Sequence, residues 1–260
     1  MSFPAKLRAR EPIVGNWHTL SDPAVAEITG LTEFDVAVID VEHTPMDFET
    51  AIEMARAVDA AGTDTGTLAR VSENDAAEIK RVLDIGVDGV MAPMIDTADE
   101  ARAFVEATKY PPDGIRGVAN GRASEYGYRF PEYVEEANDE IVTIAQIETE
   151  AGLENVEEIA AVEGVDGLFV GPADLSTALG ITADVTNDRF LEAVDRILEA
   201  GHAAETAVTT LALGDEDIER WLERGFDGLM VGVDTAYVRA ASQRTKAAFD
   251  DALDSSAEKG

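Results

Sequence analysis

The stretch Gly164-Val165-Asp166-Gly167-Leu168-Phe169-Val170 decides the architecture, because the chain repeats it. Gly86-Val87-Asp88-Gly89-Val90-Met91 and Gly225-Phe226-Asp227-Gly228-Leu229-Met230-Val231 are further copies. Gly30-Leu31-Thr32-Glu33-Phe34-Asp35-Val36-Ala37-Val38-Ile39 is a looser one. Each follows an amphipathic stretch rich in Ala, Glu and Arg. The glycine suits a helix C-terminus, where a left-handed residue closes the last turn, and the Asp suits the turn that follows. The apolar run beyond it shows no polar alternation, as expected of a strand covered on both faces.

Working outward at roughly 25–30 residues per βα unit gives eight strand candidates. They are 12–17, 35–40, 66–70, 88–92, 141–147, 167–171, 202–207 and 228–232. Helical patterns separate them, among them 75–83, 98–108, 153–161, 188–200 and 215–224. This alternation predicts an α/β fold, a closed (β/α)8 TIM barrel. An open doubly wound sheet would carry a glycine-rich phosphate turn after its first strand, and Gly15-Asn16-Trp17-His18-Thr19-Leu20 is not one. The expected organisation is a leader at 1–11, one barrel domain at 12–240, and a helical tail at 241–260 that frays at its polar end. The longest irregular stretch, Tyr110 to Asp139, reads as an active-site lid, since long loops inside compact domains are usually functional.

Composition narrows the function classes. The chain of 260 residues carries 53 acidic and 20 basic residues, a net charge of -33. Only five of the bases are lysines. The acids are spread along the helices, so the expectation is a folded protein with the acidic, lysine-poor surface of halophile cytosolic proteins. Such a surface repels itself until salt screens it. It argues against nucleic acid or an anionic membrane as partner. No apolar run approaches the ~20 residues of a membrane span, and Met1 to Glu11 shows no secretory pattern. A cytoplasmic location follows as an expectation. There is no Cys, which excludes disulfides, thiolate metal sites and a Cys nucleophile.

In a barrel, polar residues at strand C-termini read as catalytic. Strand 2 ends Asp40-Val41-Glu42-His43, strand 3 at Arg70, strand 5 at Gln146-Ile147-Glu148, and strand 6 runs into Asp174. Taken singly, each has a plainer reading as a helix cap, a loop acid or a structural ion pair; together they make one rim. No lysine falls in a predicted strand, so a Schiff-base aldolase is unsupported. No Gly-x-Ser-x-Gly elbow is present, and three histidines do not make a multi-histidine zinc site. Two carboxylates, one Arg and one His suit a hard divalent cation that polarises a ketone, with His moving a proton and Arg balancing anionic charge.

The motifs Asp40-x-Glu42-His43, Arg70-x-Ser72-x-Asn74-Asp75, Leu83-Asp84-x-Gly86, Tyr110-Pro-Pro-x-Gly-Ile-Arg-Gly117, Gln146-x-Glu148-Thr149, Gly171-Pro-Ala-Asp-Leu-Ser176 and Val231-Gly-Val-Asp-Thr235 occur in order. As a set they resemble the metal-dependent pyruvate aldolases typified by 4-hydroxy-2-oxoheptanedioate aldolase, within the aldolase/citrate lyase superfamily. The resemblance implies a barrel of the phosphoenolpyruvate/pyruvate-binding type and a class II aldolase. Such an enzyme cleaves a 4-hydroxy-2-oxo acid to pyruvate and an aldehyde through an enolate held on Mg2+, Mn2+ or Co2+. It implies Glu148 and Asp174 as metal ligands. Gln146, Ala173, Asp174 and Trp17 would hold the substrate, and Arg70 would lie at the enolate oxygen. His43 would be the base, acting through water. Asp84 would raise the basicity of that histidine from a neighbouring subunit of a homo-oligomer, commonly a hexamer. His18, Glu205 with Thr206 in strand 7, and Arg122 in the long loop depart from the pattern, and all three are expected near the aldehyde half. The competing readings are an acyl-coenzyme A lyase of the citrate lyase type, which lacks a basic cluster for its phosphates here, and a non-catalytic sugar-acid-binding barrel.

Overall fold

The computed structural model describes residues 1–257. The chain opens with α1 (Phe3–Ala9) and β1 (Ile13–His18), then α2 (Pro23–Leu31), β2 (Val36–Asp40), α3 (Phe48–Ala60), β3 (Gly66–Arg70), α4 (Ala76–Leu83), β4 (Gly89–Ala92) and α5 (Ala98–Thr108). A 3-10 segment at Arg122–Gly127 and α6 (Phe130–Glu140) lead to β5 (Val142–Ile147). Then come α7 (Glu150–Glu154), α8 (Val156–Ala160), β6 (Gly167–Val170), α9 (Pro172–Ala178), α10 (Asp188–Ala203), β7 (Ala207–Leu211), α11 (Asp215–Arg224), β8 (Gly228–Val233) and α12 (Asp234–Ala257). The eight strands close in sequence order into one barrel, every pair parallel. The predicted TIM barrel is the fold. Among the described residues no helix is long and apolar enough to cross a membrane. The fraying expected at the end of the tail falls partly on 258–260, outside the described residues.

Two apolar layers hold it. Inside the barrel, Trp17, Val38, Leu68, Met91, Ile144, Phe169 and Met230 pack together, and α1 closes the floor with Phe3 and Leu7. Outside, a larger layer joins strand backs to helices, from Ile39 and Met54 through Phe104 and Ile159 to Trp221. Burying one such side chain contributes about 1.5–3 kcal/mol, which explains the continuous apolar runs in the sequence.

The recurrent Asp does more than turn the chain. Asp35, Asp88, Asp166 and Asp227 each precede an even-numbered strand, and each clasps the second residue of the strand before it. Their carboxylates accept the amides of Val14 at 2.9 Å, Thr67 at 2.7 Å, Thr143 at 2.9 Å and Val208 at 2.9 Å. Their own amides donate back to the carbonyls of those same four residues, each at 2.9 Å. Their carbonyls in turn accept from the first residue of the next odd-numbered strand, with Ile13 closing the circle on Asp227. From α1 and its end, Lys6 reaches Asp35 at 2.6 Å, Arg8 reaches Asp166 at 2.8 Å and Arg10 reaches Asp227 at 3.2 Å. Asp88 has no such cation among the described residues, and burial raises its carboxyl above the ordinary value.

Three of the four repeat glycines take the expected left-handed conformation: Gly86 at φ 85°, Gly164 at 93° and Gly225 at 102°. Gly30 does not. It lies inside α2, where a Cβ would come within 2.6 Å of the Ala61 Cβ, so close helix packing is its reason. Glu33, at φ 59°, makes that turn instead.

The strand expected at 202–207 is a correction. Residues 201–203 finish α10, Glu205 turns the chain at φ 60°, and β7 begins at Ala207. The lid expectation is also overturned. Tyr110 to Glu140 joins a helix to the next strand, so it lies at the N-terminal end of the barrel, away from the strand C-termini. There Arg122 donates to the carbonyl of Ile85 at 2.7 Å and pairs with Asp59, and Arg116 reaches Asp84 at 3.1 Å.

At the other end Asp234 ties β8 to the loop after β1. It accepts the Thr19 amide at 3.0 Å, the Thr19 hydroxyl at 2.7 Å, the Leu20 amide at 2.9 Å and the Thr235 amide at 2.7 Å. Burial alone would raise this carboxyl; contacts from His18, Leu20 and Thr19 outweigh it and hold the group far below the usual carboxylate range. Asp234→Ala strands these donors, so the urea midpoint should fall by the equivalent of about 3 kcal/mol. A midpoint matching the parent protein would show that the tie is dispensable.

Candidate active site

The rim is built from β2 and β3 first. Their register sets Asp40 opposite Arg70. Arg70 grips Asp40 with two hydrogen bonds, Nε to Oδ1 at 3.0 Å and Nη2 to Oδ2 at 2.7 Å, and both side chains are buried. This planar, charge-assisted fork fixes the guanidinium. Trp17, at the end of β1, donates its indole N–H to Asp40 at 3.3 Å and lies under Arg70, 4.8 Å from ring centroid to guanidinium carbon. Asp40 Oδ1 also accepts the amides of Glu42 at 3.1 Å and His43 at 3.4 Å, which shapes the loop that presents both. Glu42 Oε2 lies 2.8 Å from Arg70 Nη1 and 3.7 Å from His43 Nε2. His43 is largely exposed, its side chain 65% accessible.

The next wall comes from β5 and β6, which pair side by side. Glu148 is buried just beyond β5. Its Oε1 accepts the amide of Met94 at 2.9 Å, and its Oε2 accepts the side-chain amide of Gln146. Met94 is a non-glycine residue at φ 50°, a conformation that costs energy and serves here to aim an amide at the carboxylate. Gly171 lets the carboxylate sit over the end of β6, since a Cβ there would come within 2.8 Å of Glu148 Oε2 and 3.0 Å of Gln146 Nε2. Asp174 projects from the first turn of α9 and is exposed.

Charge balance on this rim is negative. Burial pushes the Glu148 carboxyl up to about 7, with Asp174 and Glu42 adding repulsion against the bonds from Met94 and Gln146. Burial also raises Glu42, opposed by Arg70 and His43 and reinforced by Asp40 and Asp174. Gln146 Oε1 is buried without a hydrogen-bond partner. Oxygen donors, excess negative charge and an orphaned carbonyl are what a hard divalent cation would satisfy. Among the described residues no group of three or more His, Asp or Glu forms a ready-made metal cage. A cation here would therefore rest on Glu148 and Asp174 and take its remaining oxygens from water or substrate. Clefts of about 400 Å³ and 440 Å³ lie at the opposite end of the barrel and hold none of these residues, so chemistry rather than concavity marks the site.

A family model described as HpcH/HpaI aldolase/citrate lyase matches residues 14–241. The chain belongs to that family. It is 39% identical over 242 residues to the hydroxypyruvate/pyruvate aldolase of Delftia acidovorans, covering 92% of this chain and 89% of the relative. It is 38% identical over 250 residues to the 4-hydroxy-2-oxo-heptane-1,7-dioate aldolase of Shigella sonnei, covering 95% and 94%. A crystal structure of a HpcH/HpaI aldolase/citrate lyase family protein from Burkholderia cenocepacia superposes with a TM-score of 0.92 at 34% identity, over 95% of this chain and 98% of that one. The resemblance read from the motifs is thus the family found, and this member is an enzyme of the carbon–carbon lyase class.

Within this HpcH/HpaI barrel, Trp17, Asp40, Glu42, His43 and Arg70 come together on one side of the rim, and Gln146, Glu148, Ala173 and Asp174 on β5, β6 and α9. Asp84 does not join them. It ends α4, at the barrel's far end beside Arg116. None of the three departures expected near the aldehyde half faces the site: His18 ends β1 at the level of the rim but is sealed off from it. His18 is fully buried with Nδ1 3.5 Å from Asp234. Glu205 and Thr206 precede β7, and Arg122 sits beside Gly86 at the far end. The C-terminus of β7 leads instead into Ala212 and Leu213. The Met94 amide escaped the sequence reading altogether, because a backbone donor leaves no residue-type signal.

Proposed function

We propose that the chain is a divalent-metal-dependent aldolase that reversibly cleaves a 4-hydroxy-2-oxo acid to pyruvate and an aldehyde. The single observation that carries the reading is the opposition of two walls. One is a carboxylate wall, buried Glu148 beside exposed Asp174; the other is the Asp40-clamped Arg70 with His43 at its side. The relatives named for pyruvate and for a 4-hydroxy-2-oxo diacid support the same substrate class. Lys6, Lys80, Lys109 and Lys246 lie on or at the ends of helices, which leaves no Schiff-base lysine among the described residues.

In this reading Glu148 and Asp174 hold Mg2+, Mn2+ or Co2+, which when bound supplies Lewis acidity to the 2-oxo group. Gln146 and the first-turn amides of α9 at Ala173 and Asp174 hold the substrate carboxylate, and Trp17 forms the apolar floor beneath it. His43 takes the proton of the 4-hydroxyl, through water. The C3–C4 bond then breaks, the aldehyde leaves, and the bond's electron pair shifts toward the 2-oxo oxygen beside Arg70. Protonation at C3 completes pyruvate. Asp84 can act only on a site in another copy of the chain, in a homo-oligomer.

The test is pyruvate release from a panel of 4-hydroxy-2-oxo acids, with and without Mg2+, Mn2+ and Co2+. Full activity after EDTA treatment, or borohydride trapping of pyruvate on a lysine, would sink the reading.

The raised Glu148 carboxyl adds a pH dependence. A proton competes with the cation for this group, so binding should weaken as pH falls below about 7, approaching tenfold per pH unit. The sign for folding is related. A carboxyl held above its unfolded value of ~4.3 loses stability as pH rises from there through about 7. Cation binding should restore it. Mn2+ titrations at pH 6 and pH 8 that give equal affinities would remove Glu148 as a ligand.

A further inference from the structure

We propose that Arg116 is the positioning residue that presents Asp84 to His43 of a partner subunit. It rests on the reading of Asp84 as acting on the site of another copy of the chain. Asp84 stands where a carboxylate is disfavoured, at the C-terminus of α4 beside the last carbonyls of the helix. Arg116 offsets that. Its Nη2 donates to Asp84 Oδ1 at 3.1 Å and to the Tyr133 hydroxyl at 3.1 Å. Asp84 Oδ2 takes no bond among the described residues, and the side chain stays 25% accessible. One oxygen is held and the other is left free. The cation that holds it is itself locked. The Arg116 side chain is fully buried, its guanidinium carbon 4.5 Å from the Tyr110 ring centroid and 5.7 Å from that of Tyr133. The two rings meet edge to face, 6.2 Å apart. Burial pushes the Tyr110 phenol up to about 12 and raises Tyr133 as well, so both rings stay neutral. Arg116 Nε and Nη1 have no hydrogen-bond partner. Asp84 is the one carboxylate paired with this desolvated charge among the described residues, and neither group can swing away without stranding the other.

This gives work to the Tyr110-Pro-Pro-x-Gly-Ile-Arg-Gly117 motif, which lies far from the rim of its own subunit. The loop folds back on the end of α5: the amides of Ile115 and Arg116 donate to the carbonyls of Glu106 at 2.8 Å and Lys109 at 2.9 Å. A Cβ at Gly114 would collide with those same two carbonyls. Asn138, on α6, accepts the Tyr110 amide at 2.7 Å and donates to the Tyr110 carbonyl at 3.0 Å. Loop and helix together build the aromatic box, the box fixes Arg116, and Arg116 fixes Asp84.

Arg116→Lys keeps the charge and removes the planar fork that stacks and bonds at once. Tyr133→Phe is milder: it removes one bond to Arg116 and keeps the ring. Both are measured in the full-length protein with Mg2+, at a KCl concentration where light scattering shows the parental assembly. In Arg116→Lys kcat should fall by about 10–100-fold, and by less in Tyr133→Phe, with inhibition by pyruvate changed by less than about threefold. The acid limb of the kcat profile should move to lower pH, as in Asp84→Asn, because His43 loses a carboxylate that favours its protonated form. Added to Asp84→Asn, Arg116→Lys should change kcat by less than about twofold, since the group it positions is already gone. Parental rate and profile in both Arg116→Lys and Tyr133→Phe overturn the proposal, as does an Arg116→Lys effect that simply adds to that of Asp84→Asn. A parental rate in Asp84→Asn overturns the cross-subunit reading, and the proposal with it. If the parent protein releases no pyruvate from any acid, the aldolase reading fails, and the proton NMR titration of His43, one of only three histidines, decides instead. Its midpoint should fall alike in Arg116→Lys and Asp84→Asn; a midpoint unmoved by Arg116→Lys overturns the proposal.

Discussion

Glu148→Ala and Asp174→Ala should each reduce metal-dependent pyruvate release by about 10³-fold or more, with the fold intact. The magnitude follows from the small number of protein ligands. In the proposed site two carboxylates hold the cation, so losing either would leave it on one side chain and water. Affinity and charge stabilisation at the developing oxyanion then fall together, and the second effect alone is worth ~10²–10³. Stability should not fall with activity. Glu148 is buried, its carboxyl pushed up by burial, so removing it relieves a desolvated charge, which offsets the loss of its bonds from the Met94 amide and Gln146. Asp174 is exposed and removes little packing. Circular dichroism and thermal melting beside the assay separate the outcomes. Either variant retaining a tenth or more of parental turnover in saturating Mg2+ would remove that residue as a ligand.

Arg70→Lys should cost about 10²–10³ in kcat despite keeping the charge. The reason lies in the fork. Nε and Nη2 are both committed to Asp40, Nη1 faces Glu42, and the plane rests on Trp17. An ammonium cannot bond Asp40 twice and still present a donor on its other edge. It also leaves a buried carboxylate partly unpaired, so a modest loss of stability should accompany the loss of rate. His43→Ala should slow cleavage by about 10²–10⁴ while weakening pyruvate binding little. Comparing kcat with pyruvate inhibition separates the two roles. Near-parental turnover in Arg70→Lys would show that charge alone suffices there.

How much of this was legible depends on what leaves a signal in residue types. β3 at 66–70 and α11 at 215–224 coincide with the sequence reading, because a continuous buried run and a capped amphipathic helix are both marked by composition. Strand 7 begins about five residues later than its sequence signal suggests. Ala203-Ala204-Glu205-Thr206-Ala207 reads equally as a helix end or a small-residue strand, and the β-branched Val208-Thr209-Thr210 that marks β7 came later. The lid expectation for Tyr110 to Asp139 fails because length alone says nothing about which end of the barrel a loop occupies; the order helix-loop-strand does. At the rim, side chains were found and backbone was not. Asp40, Glu42, His43, Arg70, Gln146, Glu148 and Asp174 stood out as polar residues ending apolar runs. The Met94 amide and the room made by Gly171 exist only in the folded chain and leave no mark in residue type. Asp234 was visible as a motif member, but its work as a tie between β8 and the β1 loop was not.

The four Asp clasps at the barrel floor have a consequence for how this scaffold can change. They divide the barrel into four two-strand staves, β1β2 through β7β8, each latched at its lower end by the same pair of bonds. Strand register is thus set at the end remote from the chemistry. The upper loops are left free of that duty, and insertions or substitutions there can reshape the grip on an aldehyde without unlatching a stave. The reverse holds below. Trimming α1 would take Lys6, Arg8 and Arg10 from a ring of four carboxylates in a chain already at -33, and would open the hoop that keeps the staves together.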